Sequence, residues 1–272
     1  MGEERVVEEA GGASTRETIR AALAALGVPG GCTLLVHSSL SRLGWVAGGA
    51  HAVVLALLET VGPDGTLVMP THSGHLTDPA GWAHPPIPQA WWPLVREHTP
   101  PFDPRLTPTR GMGAIVETFR HVPGVVRSNH PTSSFAAFGR NAATITANHD
   151  LNSSLGEGSP LARLYELDAW VLLLGVGHAN STSLHLAEYR SEFPGKKSIT
   201  QGSPIMVDGV RRWVEYSELD WDDTDFEQLG ADFAAAELET RGPVGAGTAR
   251  LMRQRDLVDF AVRWFPEHRG GG

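Results

Sequence analysis

The apolar positions of this chain switch repeatedly between two periods, and each switch marks an element. From Glu17 to Leu26 they recur at helical spacing. Ser14-Thr15-Arg16-Glu17 stands before that run in the form of a capping box, and Gly27 follows as a helix terminator. Thr33 to Val36 reads as a strand, Ala50 to Val61 as a helix, Gly62-Pro63-Asp64-Gly65 as a turn and Thr66 to Met69 as a strand. This α-β-α-β order predicts a sheet covered by helices. From Pro70 to Pro108 the periodicity disappears, and proline, histidine and tryptophan take over. A loop this long is expected to be a lid or binding loop, with Trp82, Trp91 and Trp92 lining a pocket or anchoring it to the body. Regular patterning returns with a helix over Arg110–Arg120, a strand over Ser134–Phe138 and a short helix over Pro160–Tyr165. Pro204–Val207 and Arg212–Tyr216 flank Asp208-Gly209, a hairpin signal. Helices near Phe226–Leu238 and Thr248–Phe265 close the chain, with 1–13 and 269–272 expected to be flexible.

The segment from Trp170 to Arg190 carries the densest chemical signal. Val171 to Leu174 is the unbroken apolar run of a strand buried on both faces. Gly175 and Gly177 allow a tight turn, and Asn180 and Ser181 are good N-caps for the helix beyond. On that helix His185 and Glu188 are three residues apart, so they share a face. A carboxylate beside an imidazole at the carboxyl end of a strand suits a general base. The alternative is a solvated face carrying an incidental pair.

Composition narrows the classes. With 41% hydrophobic residues and no linker-like stretch, the chain reads as one α/β domain over 1–272. Its single cysteine, Cys32, excludes an intrachain disulfide. The acidic opening MGEERVVEEAGG resembles neither a signal peptide nor an anchor, and no apolar window reaches membrane-spanning length, so a cytoplasmic protein is expected. A formal net charge of −9 argues against nucleic acid and suits a cationic substrate, or simply solubility. GxSxG and the phosphate-loop motif are absent, and Gly175-Val176-Gly177 fails the dinucleotide fingerprint because Asn180 occupies its third glycine position. His72 and His75 have a metal-like spacing, but no cysteine pair or HExxH accompanies them, and no metal is expected.

Two polar segments remain at element ends. His37-Ser38-Ser39-Leu40-Ser41-Arg42 offers hydroxyls, backbone amides and a cation, and Thr109-Arg110-Gly111-Met112-Gly113 offers flexible amides and a helix start. Both suit phosphate binding, and each alone also suits ordinary capping. These segments sit in stretches that resemble the aminoglycoside 3-N-acetyltransferase family. The matching runs are LLVHSSLSRLGWVAGG, GTLVMPTHS, TPTRGMGAIVETFR, RSNHPTSSFAAFG, SPLARLYELDAWVLLLGVG and NSTSLHLAEYR, in the family's order from about Thr33 to Arg190.

The resemblance implies a family-specific α/β fold, a mixed central sheet flanked by helices, distinct from the common N-acetyltransferase fold. It implies acetyl-CoA as cosubstrate and direct transfer to an amine in a ternary complex. By the same resemblance His185 is the catalytic histidine and Glu188 its carboxylate partner. His37, Ser38, Ser39, Leu40, Arg42, Thr109, Arg110, Gly111, Met112, Gly113, Thr132 and Ser133 are then expected around the cosubstrate. Family members often carry a histidine after HPT where this chain has Ser133, a hydroxyl that can donate to an oxyanion but cannot serve as base.

For a cationic aminoglycoside, candidate contacts are Asp78, Trp82, Glu192 and Asp223, with Trp221 able to stack on a sugar ring. The expected partners are this amine and acetyl-CoA, without nucleic acid or membrane; a homodimer is compatible with the chain. Competing readings are N-acylation of a non-antibiotic amine, a metal-dependent hydrolase built on His72 and His75, and a non-catalytic CoA-binding module.

Overall fold

The computed structural model describes residues 12–270. In chain order its elements are α1 (Arg16–Leu26), β1 (Thr33–Ser38), α2 (Gly49–Val61), β2 (Thr66–Pro70), α3 (Trp92–His98), α4 (Gly113–Phe119), β3 (Val126–Arg127), β4 (Phe135–Gly139), α5 (Ala142–Thr146), α6 (Pro160–Glu166), β5 (Trp170–Leu174), α7 (Ser183–Arg190), β6 (Ser198–Val207), β7 (Val210–Leu219), α8 (Phe226–Ala235), β8 (Thr240–Val244), β9 (Gly247–Arg253) and α9 (Gln254–His268). Seven strands form one mixed sheet in the order β3-β4-β2-β1-β5-β9-β8, and β6 and β7 form a separate hairpin. The middle strands β2, β1 and β5 are parallel, and the outer strands pair antiparallel.

Strand periodicity divides the core. Leu34 and Val36 of β1, with Leu172 and Leu174 of β5, point to one face, where α1, α2 and α4 cover them through Leu23, Leu57 and Phe119. Leu35, Val171 and Leu173 point to the other, against α5 to α9. Both faces being covered explains why these strands read as continuous apolar runs. Truncating a leucine of this core to alanine costs about 2–5 kcal/mol on general grounds.

Several elements differ from the sequence expectation. The capping box lies one residue later, with Thr15 as N-cap and Thr18 as its partner. The helix expected over Thr248–Phe265 begins only at Gln254, because Ala249–Arg253 pairs with β5 and Gly247–Leu251 with β8. In that strand Ala249 and Leu251 enter one core and Met252 the other, a two-residue period too short to separate from a helix by pattern. A three-ten turn, His178–Asn180, precedes α7, whose N-cap is Thr182 and not Asn180 or Ser181.

The stretch from Pro70 to Pro108 is not structureless. It holds three-ten turns and α3, and it lies on the hairpin: Phe102 N–H donates to Pro204 O at 2.9 Å and Arg211 Nε to Thr99 O at 3.1 Å. The N-terminal flexibility expectation falls, apart from residues 12 and 13, outside the described residues. The expected fraying at 269–272 is corrected for Arg269, which is held by four hydrogen bonds described below.

Parallel pairing of β1 with β2 on one side and β5 on the other brings their carboxyl ends to one edge, the usual crevice of an open α/β sheet. Two features hold that edge. Gly230 of α8 lies so close to the turn after β5 that an added Cβ would sit 2.2 Å from His178 Cγ. The His178 ring cannot retreat, since its Nε2 is 2.7 Å from buried Glu239. Gly230→Ala should therefore cost about 2–3 kcal/mol, read as a lower thermal midpoint.

The second feature is a group of buried neutral imidazoles. His130 Nδ1 accepts from the amides of Thr132 and Ser133, at 3.3 and 3.0 Å, so it pins that loop only in the neutral form. His149 Nε2 donates to Ser154 O at 2.7 Å while its Nδ1 accepts from Ser128. Burial pushes His37 and His72 down to about 3 and His130 to about 4, and holds His149 well below its usual value. The unfolded chain binds these protons near pH ~6.5, well above the folded state. Their contribution is therefore complete above that pH and drains as pH falls toward the folded values. The thermal midpoint should drop between pH 7 and pH 5, and His149→Gln should make that slope shallower even if it lowers the midpoint at pH 7.

Candidate active site

α7 carries the two residues singled out by spacing, and the fold turns their shared face inward. His185 Nδ1 lies 2.5 Å from Glu188 Oε2, with side-chain exposures of 12% and 1%. Since an ionised carboxylate only accepts, Nδ1 carries the proton and Nε2 keeps a lone pair. The ring rests against Trp221 and Phe226, with centroids 5.1 and 4.9 Å away. Trp221, expected as a sugar platform, instead packs on the imidazole.

Glu188 is fully engaged. Its Oε1 accepts from Arg269 Nη1 at 2.6 Å and from the Asp222 amide at 3.2 Å. Arg269 also forks onto Asp225, with Nε and Nη2 at 2.7 and 2.6 Å, and donates to Asp222 O. Part of the acidic run at 220–225 is thus spent inside the protein.

At the carboxyl edge lies a cavity of about 1150 Å³. Ser38, Ser39, Leu40, Arg42, Gly111, Met112 and Gly113 line it, joining the two segments that looked suited to phosphate. Gly111 and Gly113 have φ of +75° and +82°, with open space where a side chain would stand. Sequence reasoning missed Arg250 on the opposite wall, whose Nη1 donates to Val176 O at 2.8 Å and whose Nε has no hydrogen-bond partner. It also set aside Gly175, Val176 and Gly177, which line the cavity without forming a dinucleotide fingerprint. A glycine turn at a strand's carboxyl end was the available signal for them. For Arg250 and Arg269 no local signal existed.

The remaining expected residues fall into several environments. His37 is buried next in sequence to cavity-lining Ser38, and its Nε2 is 3.4 Å from Thr182 Oγ1 at the start of α7, the helix that carries His185 and Glu188. Thr132 and Ser133 are buried and hydrogen-bonded to each other, and Thr132 reaches Tyr216 of the hairpin. Thr109 is not among the cavity-lining residues; its hydroxyl donates to Glu117 at 2.7 Å. Arg110 has its amide on His72 O and an exposed side chain.

Of the acceptor candidates, Asp78 is held by both Nε and Nη2 of Arg96, and Trp82 donates to Thr77. Glu192 is exposed, paired loosely with Lys196 at 3.4 Å. Asp223 is exposed and adjoins the dyad, between Asp222, which binds Glu188, and the start of α8. Among the described residues no three or more His, Cys, Asp or Glu side chains converge on a metal-sized site, His72 and His75 included. No helix among them is long and apolar enough to cross a membrane.

Comparison with known proteins matches this arrangement. The family model for aminoglycoside 3-N-acetyltransferase covers residues 35–266. The prophage-derived aminoglycoside N(3')-acetyltransferase-like protein YokD of Bacillus subtilis is 47% identical over 96% of both chains. Its crystal structure superposes with a TM-score of 0.94, covering 97% of this chain and 98% of that one. Aminoglycoside N(3)-acetyltransferase VII of Streptomyces paromomycinus is 37% identical over 99% of this chain and 98% of its own. A solved complex of AAC-IIIb with CoASH, 33% identical, covers 96% of this chain and 99% of that one with a TM-score of 0.84. Near-complete coverage at these identities, together with the shared fold, places the chain in the aminoglycoside 3-N-acetyltransferase family.

Proposed function

We propose that this chain transfers the acetyl group of acetyl-CoA to the 3-amino group of a 2-deoxystreptamine aminoglycoside, an activity that confers resistance. The observation that carries the reading is the His185–Glu188 pair, joined at 2.5 Å on the helix that Thr182 starts, with Thr182 Oγ1 3.4 Å from Nε2 of His37, next in sequence to cavity-lining Ser38. The cavity suits the donor. Its volume of about 1150 Å³ accommodates an extended nucleotide thioester, and Arg42 and Arg250 supply cations for phosphates. Ser38 Oγ is buried without a partner, a polar atom left over for a ligand. The bare backbone at Gly111 and Gly113 allows close approach.

The chemistry follows from the dyad's tautomer. An ammonium has no free lone pair, so the acceptor nitrogen must lose a proton before it attacks. His185 Nε2 takes that proton while Nδ1–H stays on Glu188, whose charge stabilises the resulting imidazolium. The amine nitrogen bonds to the thioester carbon, the carbon–sulfur bond breaks, the sulfur leaves as the free thiol with the proton held on His185, and the second proton of the acylated nitrogen passes through the freed Nε2 to solvent. The developing oxyanion needs donors, for which Ser38 and Ser133 are candidates. The net charge of −9 and exposed carboxylates such as Asp223 suit a polycationic acceptor.

Thiol release from acetyl-CoA, measured with gentamicin-, kanamycin- and apramycin-type acceptors, tests the reading. Amine-dependent release is expected, and silence across the panel with CoA binding intact would move the acceptor outside the antibiotics. His185→Ala should lower kcat about 100- to 10,000-fold while acetyl-CoA binding persists. Near-normal turnover would remove His185 from the chemistry. Asp223→Asn should raise the acceptor's KM more than it changes kcat, and an unchanged KM would place Asp223 outside the site.

A further inference from the structure

Buried Glu188 touches two cationic or potentially cationic groups, and only one of them belongs to the spacing pattern that drew attention to the helix. The other is Arg269, directly after α9 and 81 residues further along the chain. We infer that Arg269 is a positioning residue for the transfer: it balances the charge of Glu188 and so sets how readily the dyad gives up the proton it takes from the amine. This rests on the reading of His185 as the base.

The geometry is that of a built clamp. Arg269 is 10% exposed. Its Nη1 holds Glu188, its Nε and Nη2 fork onto Asp225, and Nη2 also binds Asp222 O. The guanidinium lies over Phe265 and Phe193, at 4.1 and 4.8 Å from their centroids. An ammonium could supply the charge but neither the fork nor the flat face.

The segment that receives Arg269 also shapes the other side of the dyad. Trp221 and Phe226 hold the His185 ring, and Asp222 N–H binds Glu188. One stretch therefore ties the catalytic helix to the residue following the last one.

Charge bookkeeping gives the consequence its sign. The charged groups about His185 are Glu188 on its own helix, Asp222 and Asp225 ahead of α8, and Arg269 after α9. His37 in β1 and His72 after β2 are the titratable groups on the remaining side, and burial keeps both neutral. Beyond Trp221 lies Glu218, buried and hydrogen-bonded to Tyr189, with its pKa raised by burial.

Glu188, Asp222, Asp225 and Arg269 sum to −2, so the cluster keeps a single negative charge when His185 is protonated. Removing Arg269 would leave the carboxylates to hold the imidazolium more firmly. Removing the Asp225 charge would leave Arg269 to oppose it more strongly.

The test is the acid limb of kcat/KM, which reports proton loss from the free base. Arg269→Gln should move that limb up by about one pH unit, and Asp225→Asn should move it down. Opposite shifts cannot come from general loss of structure. Arg269→Lys should return the limb close to that of the unaltered protein while kcat stays lowered through poorer orientation. KM for acetyl-CoA should hold in all three variants.

Limbs that do not move, or that move together, overturn the inference, as does Arg269→Lys shifting as far as Arg269→Gln. The His185 ring followed by NMR titration in the protein without substrate, assigned with His185→Gln, should show the same opposed shifts. That readout judges the clamp even if no amine is acetylated, an outcome that would instead remove the proposed function.

Discussion

A carboxylate withdrawn from water must find its hydrogen bonds and its counter-charge within the protein. Glu188 meets that demand in a way that organises the surrounding structure. One oxygen fixes the tautomer of His185 and the other receives Arg269 and a backbone amide. Satisfying it requires the catalytic helix, the loop before α8 and the residue after α9 to converge. Those parts are far apart in the chain and meet only once the sheet's second face is covered. Breaking one partner of such a buried network leaves the others uncompensated, so the site and this part of the core are coupled.

A different rule governs the histidines on the sheet's carboxyl edge. His37, His72, His130 and His149 are kept neutral by burial, and His130 and His149 use both ring nitrogens as structural hydrogen-bonding groups. His185 differs in having an ionised carboxylate on one nitrogen and a ring that remains partly accessible. The role of base proposed for His185 draws on both features, because the carboxylate would stabilise the charge and access would let an amine reach the ring. The imidazoles are thus separated by their partners. Ser133 is held by the His130 ring through its amide.

The cavity proposed for the donor lies at the same edge. Backbone segments after β1, before α4 and after β5 border one space, and Arg250 enters from antiparallel β9. The mixed sheet matters here, since β9 runs opposite to β5 and brings its early residues to the carboxyl edge. A strand mistaken for part of a helix in the sequence therefore delivers a cation to the proposed phosphate region.

Local pattern was enough for the elements that depend on neighbours in sequence. The buried strands, α1, α2 and the hairpin at Asp208-Gly209 follow from periodicity, caps and turn residues. The His185–Glu188 pair follows from helical spacing, and the ordered runs of family-like residues indicated the fold and the donor. Tertiary structure decided what spacing does not encode. It made β9 a strand because β5 offered an unpaired edge, and it ordered the proline-rich stretch against the hairpin. It spent Asp78 on Arg96, and Asp225 and Glu188 on Arg269. Sequence records which groups could carry charge, but a charge's role depends on which opposite charge reaches it first in the folded chain. That choice is set by distance in space.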